Sequence, residues 1–257
     1  MSMKLRVLGC SGGIGGRSQR TTALLLDHDI LIDAGTGVGD LSIAELAAID
    51  HVFLTHSHLD HIVSLPLMID TVADRRNSPL VVHATEAVLA TLRKHIFNWD
   101  IWPDFSTVPS PEKPFLRFEP LALGETVTLD GRRITPLPVD HIVPTVGYCL
   151  DSGQGSLIFS SDTGPCDAFW QAVNRVSNLR SLIIECAFSN RERELARVSR
   201  HLCPETLVSE LLKLERTCSV YVTHLKPGQV ELTMAEITHA FGDNAPLLLQ
   251  NNQVFEL

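Results

Sequence analysis

No run of about 18 apolar residues, the length that a membrane-crossing helix needs, occurs in these 257 residues. The opening MSMKLRVLGC passes straight into glycines and shows no apolar leader of the secretory kind. No membrane partner and a cytoplasmic address are the resulting expectations. Cysteine is sparse and without pattern: Cys10, Cys149, Cys166, Cys186, Cys203 and Cys218 include no C-x-x-C pair and no dense framework. That argues against a disulfide scaffold and suits free thiols in a reducing compartment. Basic charge is in deficit as well, 21 Lys and Arg against 30 Asp and Glu, for a formal net charge of −9. Such a chain repels RNA and DNA as a whole, so no stable nucleic-acid partner is expected, and an anionic substrate must be drawn in by local charge. Short-period repeats, low-complexity tracts and linkers are also missing. What remains is an ordinary globular composition, 44% hydrophobic and 20% charged, expected to fold as a single domain over residues 1–257.

Short apolar runs recur between turn signals: KLRVLG (4–9), TALLLD (22–27), DILID (29–33), HVFLT (51–55), PLVVHA (79–84), ETVTLD (125–130), RRITPLP (132–138), TVGYCLD (145–151), SLIFSSD (156–162), SLIIEC (181–186) and SVYVTH (219–224). Their length is that of strands and too short for free-standing helices. Three-to-four periodicity predicts helices over 39–48, 85–97, 166–176 and 203–216, the last with Pro204 in its first turn, and a helical segment following Asp60. Strands cluster early and late with helices between them. The expected fold class is therefore α/β (α+β), two sheets with helices on their outer faces in a four-layer sandwich. ILIDAGTG (30–37) and LIFSSDTGP (157–165) echo each other as a buried strand, an Asp, a small residue and a Gly. A duplicated architecture would produce this, and so would any strand ending in a tight turn. PDFSTVPSPEKP (103–114), with four prolines, reads as a long exposed loop.

THSHLDH (55–61) crowds His56, His58, Asp60 and His61 directly after an apolar strand. His56 and His58, two apart, share one side of an extended loop, while Asp60 and His61 enter the helical segment, so four donors spread around one junction. A solvated loop with a capping histidine explains one such residue, not four. Imidazole and carboxylate are the donors that zinc and similar divalent cations take. The order suggests two ions, one on His56 and His58 and a second on Asp60 and His61. Further ligands are expected at other strand ends, where His141 follows ITPLPVD, Asp162 follows SLIFSS and His224 follows SVYVT. Asp162 has two oxygens and can bridge, completing one site with His56, His58 and His141 and the other with Asp60, His61 and His224. The implied cofactors are two divalent metal ions, Zn2+ first, with Mn2+ or Fe2+ accepted by the same donors.

Taken in chain order, THSHLDH, His141, SSDTG and VTHLKPG resemble the metallo-β-lactamase superfamily, whose αββα sandwich carries a two-metal site at the sheet edges. The resemblance implies the same ligand roles, and it gives Asp33 in LIDAG the task of orienting the ligand loop from behind. Within that superfamily, GCSGG (9–13), LIDAGTG (31–37), THSHLDHI (55–62), HIFNWDIWPDF (95–105), SSDTGP (160–165), IIEC (183–186) with Asn190, HLCPETL (201–207) and THLKPG (223–228) are most similar to the class II cyclic-nucleotide phosphodiesterases. That implies hydrolysis of a small cyclic nucleotide, cyclic AMP or cyclic GMP, to the 5′-monophosphate by a two-metal mechanism. Asp60 would orient the nucleophile, and His201 would donate to a phosphoryl oxygen or to the departing 3′-oxygen. Cys203 stands where that pattern leads one to expect a hydroxyl residue, which alters local hydrogen bonding and leaves His201 intact.

Phe97, Trp99, Trp102 and Phe105 could stack a purine while Asn98 reads its edge. The same aromatics could instead fill core or a subunit interface, which keeps a homodimer open as the assembly. GCSGGIGG (9–16) fits neither G-x-G-x-x-G nor a Walker loop and reads as a tight turn near the metals, with Arg17 and Arg20 as phosphate contacts. Rival readings are a tRNase Z-like endonuclease acting on RNA 3′ ends, another ester hydrolase of the same fold, and a non-catalytic nucleotide-binding metalloprotein. The endonuclease would need a basic RNA-gripping arm that the sequence does not display. Asp60 and His201 count against the non-catalytic protein.

Overall fold

The computed structural model describes residues 3–16 and 18–257. Two sheets of seven strands each organise it. Side by side, the first holds β16 (Val254–Glu256), β1 (Lys4–Gly9), β2 (Ala23–Leu26), β3 (Ile30–Ile32), β4 (His51–Phe53), β5 (Leu80–Ala84) and β8 (Leu116–Pro120). The second holds β9 (Val127–Leu129), β10 (Arg132–Pro138), β11 (Val146–Asp151), β12 (Ser156–Phe159), β13 (Leu179–Glu185), β14 (Ser219–Thr223) and β15 (Leu247–Leu248). A small hairpin, β6 (Pro109–Ser110) with β7 (Lys113–Pro114), stands apart.

Period-two alternation explains how the sheets stack. Leu24, Leu26, Ile30, Ile32 and Phe53 point one way and meet Ile134, Tyr148, Leu150, Leu157 and Phe159 of the other sheet in a shared core. Their neighbours Leu25, Leu31 and Val52 point outward, under α3 (Ser64–Val72) and α4 (Glu86–His95). On the far side Ile158, Leu182, Ile184 and Val222 are covered by α5 (Asp167–Val173), α7 (Pro204–Leu211) and α8 (Val230–Phe241). The layers run helix, sheet, sheet, helix, the four-layer αββα sandwich. Shorter helices complete it: α1 (Ile43–Ala48), α2 (Leu59–Ile62) and α6 (Arg193–Ser199). Ser42 and Glu45 form a reciprocal capping box that fixes where α1 starts.

The two sheets repeat one plan. From β1 through β2, β3, β4 and β5 to β8 the pairings are antiparallel, antiparallel, parallel, parallel, parallel. From β10 through β11, β12, β13 and β14 to β15 the same series recurs. An antiparallel strand flanks the start of each, β16 on β1 and β9 on β10. Asp33 and Asp162, from the two echoing stretches, follow the equivalent strands β3 and β12.

Two expectations need correction. The proline-rich segment 103–114 is not simply an exposed loop, because Phe105 packs into the core beside Phe115 and its carbonyl accepts from the Leu116 N–H at 3.1 Å. The helix expected over 203–216 stops at Leu211, after which two tight turns carry the chain to Leu214. All six cysteines are free thiols.

Candidate metal centre

The donors sit at the carboxyl ends of strands that share one direction. β4 is locked at its end: the buried Tyr148 hydroxyl donates to Leu54 O at 2.8 Å, and the Thr55 N–H donates to Asp33 Oδ1 at 2.8 Å. Asp33 is fully buried and left-handed at φ 60°, which turns its carboxylate back under the loop. It accepts from the Thr55 hydroxyl at 2.9 Å and from His61 Nδ1 at 2.7 Å. With its hydrogen donated to Asp33, Thr55 Oγ1 accepts from His56 Nδ1 at 2.9 Å. His141 Nδ1 donates to the Arg200 carbonyl at 3.1 Å. Each bond fixes a tautomer, leaving the Nε2 lone pairs of His56, His61 and His141 to converge. His58 is the exception and presents Nδ1.

Two groups of four donors result, His56, His58, His141 and Asp162, then Asp60, His61, Asp162 and His224, each with its ligand atoms within 4.8 Å of one another. In the first, His58 Nδ1 lies 3.1 Å from His56 Nε2 and 3.3 Å from His141 Nε2, with Asp162 Oδ2 at 3.6 Å and 3.9 Å from the latter two. In the second, His224 Nε2 lies 3.4 Å from His61 Nε2, 3.3 Å from Asp60 Oδ2 and 3.1 Å from Asp162 Oδ1. A tetrahedral cation with metal–nitrogen bonds of about 2.0–2.1 Å needs donors about 3.3 Å apart. The spacings therefore fit two cations, with one Asp162 oxygen turned to each. His224 enters from a left-handed φ of 63°, and Gly12 makes room: a Cβ there would lie 2.3 Å from the His224 carbonyl oxygen and 2.7 Å from Nδ1. Left-handed backbone at Asp33, Ser161 and His224 concentrates strain where the donors meet.

The electrostatics suit cation binding. Burial holds His56, His58 and His141 below the ordinary histidine range, with the neighbouring histidines adding to it, and pushes His224 down to about 4. Neutral imidazoles are the ligating form. Burial alone would raise the Asp162 carboxyl, but the charges of His224 and His61 hold it well below the usual carboxylate range. Burial likewise opposes protonation of His61, and the carboxylates of Asp162 and Asp33 overcome it and raise its pKa well above the ordinary value. A cation is the natural replacement for the proton that those carboxylates attract.

His201 lies beside both groups, its ring centroid 4.8 Å from that of His141 and 5.4 Å from that of His224. Its Nδ1 donates to Glu185 Oε1 at 2.7 Å. Glu185 also accepts from the N–H groups of Thr163, Ala187 and Leu202, so it is a fully buried carboxylate with four donors. Burial pushes the His201 pKa down, and the charge and hydrogen bond of Glu185 more than offset that and raise it. Glu185 and the carbonyl of Arg200 were not singled out by sequence reasoning. A buried-strand ending in Glu, IIEC, was the available signal for the first; a carbonyl role leaves no trace in side-chain identity.

The remaining predicted residues fall elsewhere. Phe97 and Phe105 are buried in the core outside the first sheet, with Trp102 packed against it. The Asn98 side chain is spent on its own loop, accepting from the N–H groups of Asp100 and Ile101 and donating to Lys94 O. Trp99 is 65% exposed. Core packing thus takes up Phe97, Trp102 and Phe105 and a turn takes up Asn98, while the Trp99 ring stays exposed. Arg20 is engaged in a two-pronged ion pair with Asp40, and Arg17 lies outside the described residues. No helix among the described residues is long and apolar enough to cross a membrane.

Comparison with known proteins places these observations. The sequence model of the family described as "Beta-lactamase superfamily domain" matches residues 28–238. A "Probable 3′,5′-cyclic-nucleotide phosphodiesterase" of Yersinia pestis is 25% identical over 206 residues, 70% of this chain and 58% of that protein. A "Ribonuclease Z" of Clostridium beijerinckii is 30% identical over 153 residues, 56% of this chain and 47% of that enzyme. The chain thus spans about half the length of these relatives. The crystal structure of unliganded yeast PDE1 matches with a TM-score of 0.79 over 99% of each chain at 18% identity, a likeness of fold.

Proposed function

This chain belongs to the metallo-β-lactamase superfamily, and from that premise we propose that it is a metal-dependent phosphodiesterase whose substrate is a 3′,5′-cyclic nucleotide. The observation that carries the reading is the Glu185–His201 pair, an oriented donor set against two four-donor groups that fit cations. His56, His58, His141 and Asp162 would hold one ion, and Asp60, His61, His224 and Asp162 the other, zinc being a divalent cation that takes such imidazole and carboxylate donors. When bound, such a pair supplies Lewis acidity, acidifying water and neutralising charge on a phosphoryl group. Asp60 is only partly buried and takes the water's hydrogen bond, orienting it toward phosphorus. Glu185 fixes the hydrogen on His201 Nδ1 as the donated one, so Nε2 faces the substrate. Protonated there, His201 donates to a phosphoryl oxygen or to the departing 3′-oxygen. Asp33 keeps His61 and the Thr55 loop in register throughout.

The Yersinia relative's name and the fold of yeast PDE1 support the cyclic substrate. A second reading, cleavage at an RNA 3′ end, is favoured by the name of the Clostridium relative. Incubating metal-loaded protein with cyclic AMP, cyclic GMP, a pre-tRNA and a lactam, with and without chelator, separates these. Chelator-sensitive release of a 5′-monophosphate is the expected result. Cleavage of pre-tRNA alone would replace the reading with the second one, and lactam turnover would end both.

A further inference from the structure

One cavity beside the metal centre has no part in the mechanism above. It measures 260 Å³, and Arg193, Arg197 and Arg200 line it together with His201, Asp140 and Thr206. Arg193 and Arg197 stand four residues apart on α6, hence on one helix face, and Arg200 ends that helix in a left-handed turn at φ 53°. Gly164 closes the wall opposite, where a Cβ would lie 3.4 Å from Arg200 Cα. His201 belongs both to this lining and to the metal centre, so the cavity opens one imidazole ring away from the four-donor groups.

Three arginines lining one small space are unusual in a chain of net charge −9. Each has a carboxylate nearby: Glu205 is 3.8 Å from Arg193, Glu194 pairs with Arg197, and Asp140 is 2.9 Å from Arg200. These pairs are solvent-exposed, with the Arg193 and Arg197 side chains 73% and 70% accessible, and exposed pairs hold little. A phosphate offers several oxygens at once to planar guanidinium forks and displaces such partners.

We propose that this cavity receives a second phosphate, so that besides a cyclic nucleotide the centre accepts linear phosphodiesters that carry a terminal phosphate one nucleoside away from the scissile bond. The proposal rests on the phosphodiesterase reading and adds a linear substrate class to the cyclic one. The dinucleotide ApA and its 5′-phosphorylated form pApA differ by that one group. Metal-loaded protein is expected to turn over pApA with a kcat/KM about tenfold or more above that for ApA, the yield of one charge-assisted contact. Arg193→Gln with Arg197→Gln should erase the preference. Equal values for the two dinucleotides, no turnover of either by protein that cleaves a cyclic nucleotide, or a preference that survives the double substitution, overturns the proposal.

Calorimetric titration of metal-free protein with pyrophosphate gives an independent reading. The double variant should bind about tenfold more weakly, and equal binding would also overturn the cavity's assignment. If no phosphodiester is cleaved while pyrophosphate binding depends on both arginines, the phosphodiesterase reading fails and the anion cavity stands.

Discussion

Replacing Glu185 by Gln changes one atom's chemistry at a site with no slack. Oε1 accepts from the Thr163 N–H and His201 Nδ1, at 3.0 and 2.7 Å, and Oε2 from the N–H groups of Ala187 and Leu202, at 2.9 and 3.3 Å. A glutamine has one acceptor oxygen, so its NH2 must face two of those four donors. Placed at Oε2, it strands two buried backbone N–H groups, at about 1–3 kcal/mol each. Placed at Oε1, it strands only Thr163, because His201 can surrender its Nδ1 hydrogen and accept instead. The second arrangement is the cheaper, and it costs about 1–3 kcal/mol of stability. It also moves the imidazole hydrogen to Nε2 and removes the charge that keeps the ring protonatable. Turnover should fall by about 10²–10⁴. The assay is kcat on the phosphodiester identified by the substrate panel, or on bis(para-nitrophenyl) phosphate, alongside urea unfolding and metal content. Both ions should be retained, since Glu185 touches none of their ligand atoms. Unaltered turnover in a variant that is destabilised as described would show that the charge Glu185 places beside His201 does not matter, and with it the proposed role of His201 as a proton donor would go.

Asp33→Asn should weaken metal binding about 10–100-fold, read by competition with a chromophoric chelator, because the one amide oxygen can accept from His61 Nδ1 or from the Thr55 N–H but not from both; retained affinity would mean that the loop is held otherwise. Gly12→Ala should displace His224 and lose one of two bound ions in elemental analysis, since the added Cβ meets backbone as well as ring. For His83, burial and then the neighbouring His51 push the pKa down to about 4, below the unfolded value. Its contribution is complete above the unfolded pKa of about 6.5 and is lost as pH falls toward 4, up to about 3 kcal/mol. Urea midpoints measured across that window should therefore slope less in His83→Phe, which keeps a ring stacked on Phe53; an identical slope would show that His83 is not the group titrating.

Legibility followed chemistry and burial. The fold class and eleven strand-like runs could be read because buried strands carry little but apolar residues between turn signals. β8 was missed because LRFEP is an edge strand whose Arg117 is exposed and whose Glu119 faces solvent. α6, in RERELARVS, hides because Ala196 alone is buried, so no apolar stripe exists. α8 is a different case: Val230, Met234, Ile237 and Phe241 recur at helical spacing and pack on the second sheet, so the signal was present and unused. The aromatic run at 95–105 was ambiguous for a reason of principle. Aromatic residues look the same in a sequence whether their faces are free or covered, and only packing distinguishes Phe97 from a platform.

The repeat of the sheet plan accounts for the uneven look of the donors along the chain. In the first half, a single strand end, that of β4, feeds His56, His58, Asp60 and His61, and the loop that carries them is dense enough to read as a motif. In the second half, β10, β12, β13 and β14 each end near one functional residue, His141, Asp162, Glu185 and His224, which in sequence are scattered singletons. Strand for strand, Asp33 and Asp162 are equivalents, yet Asp33 lies behind the histidine loop and Asp162 stands between the two donor groups. A duplicated frame presents the same kind of strand end twice, and the two aspartates differ in what faces them: Thr55 and the Nδ1 of His61 for one, three Nε2 atoms within 3.6 Å for the other. The loops around the shared frame, rather than the frame itself, thus set one carboxylate behind the histidines and the other between the two donor groups.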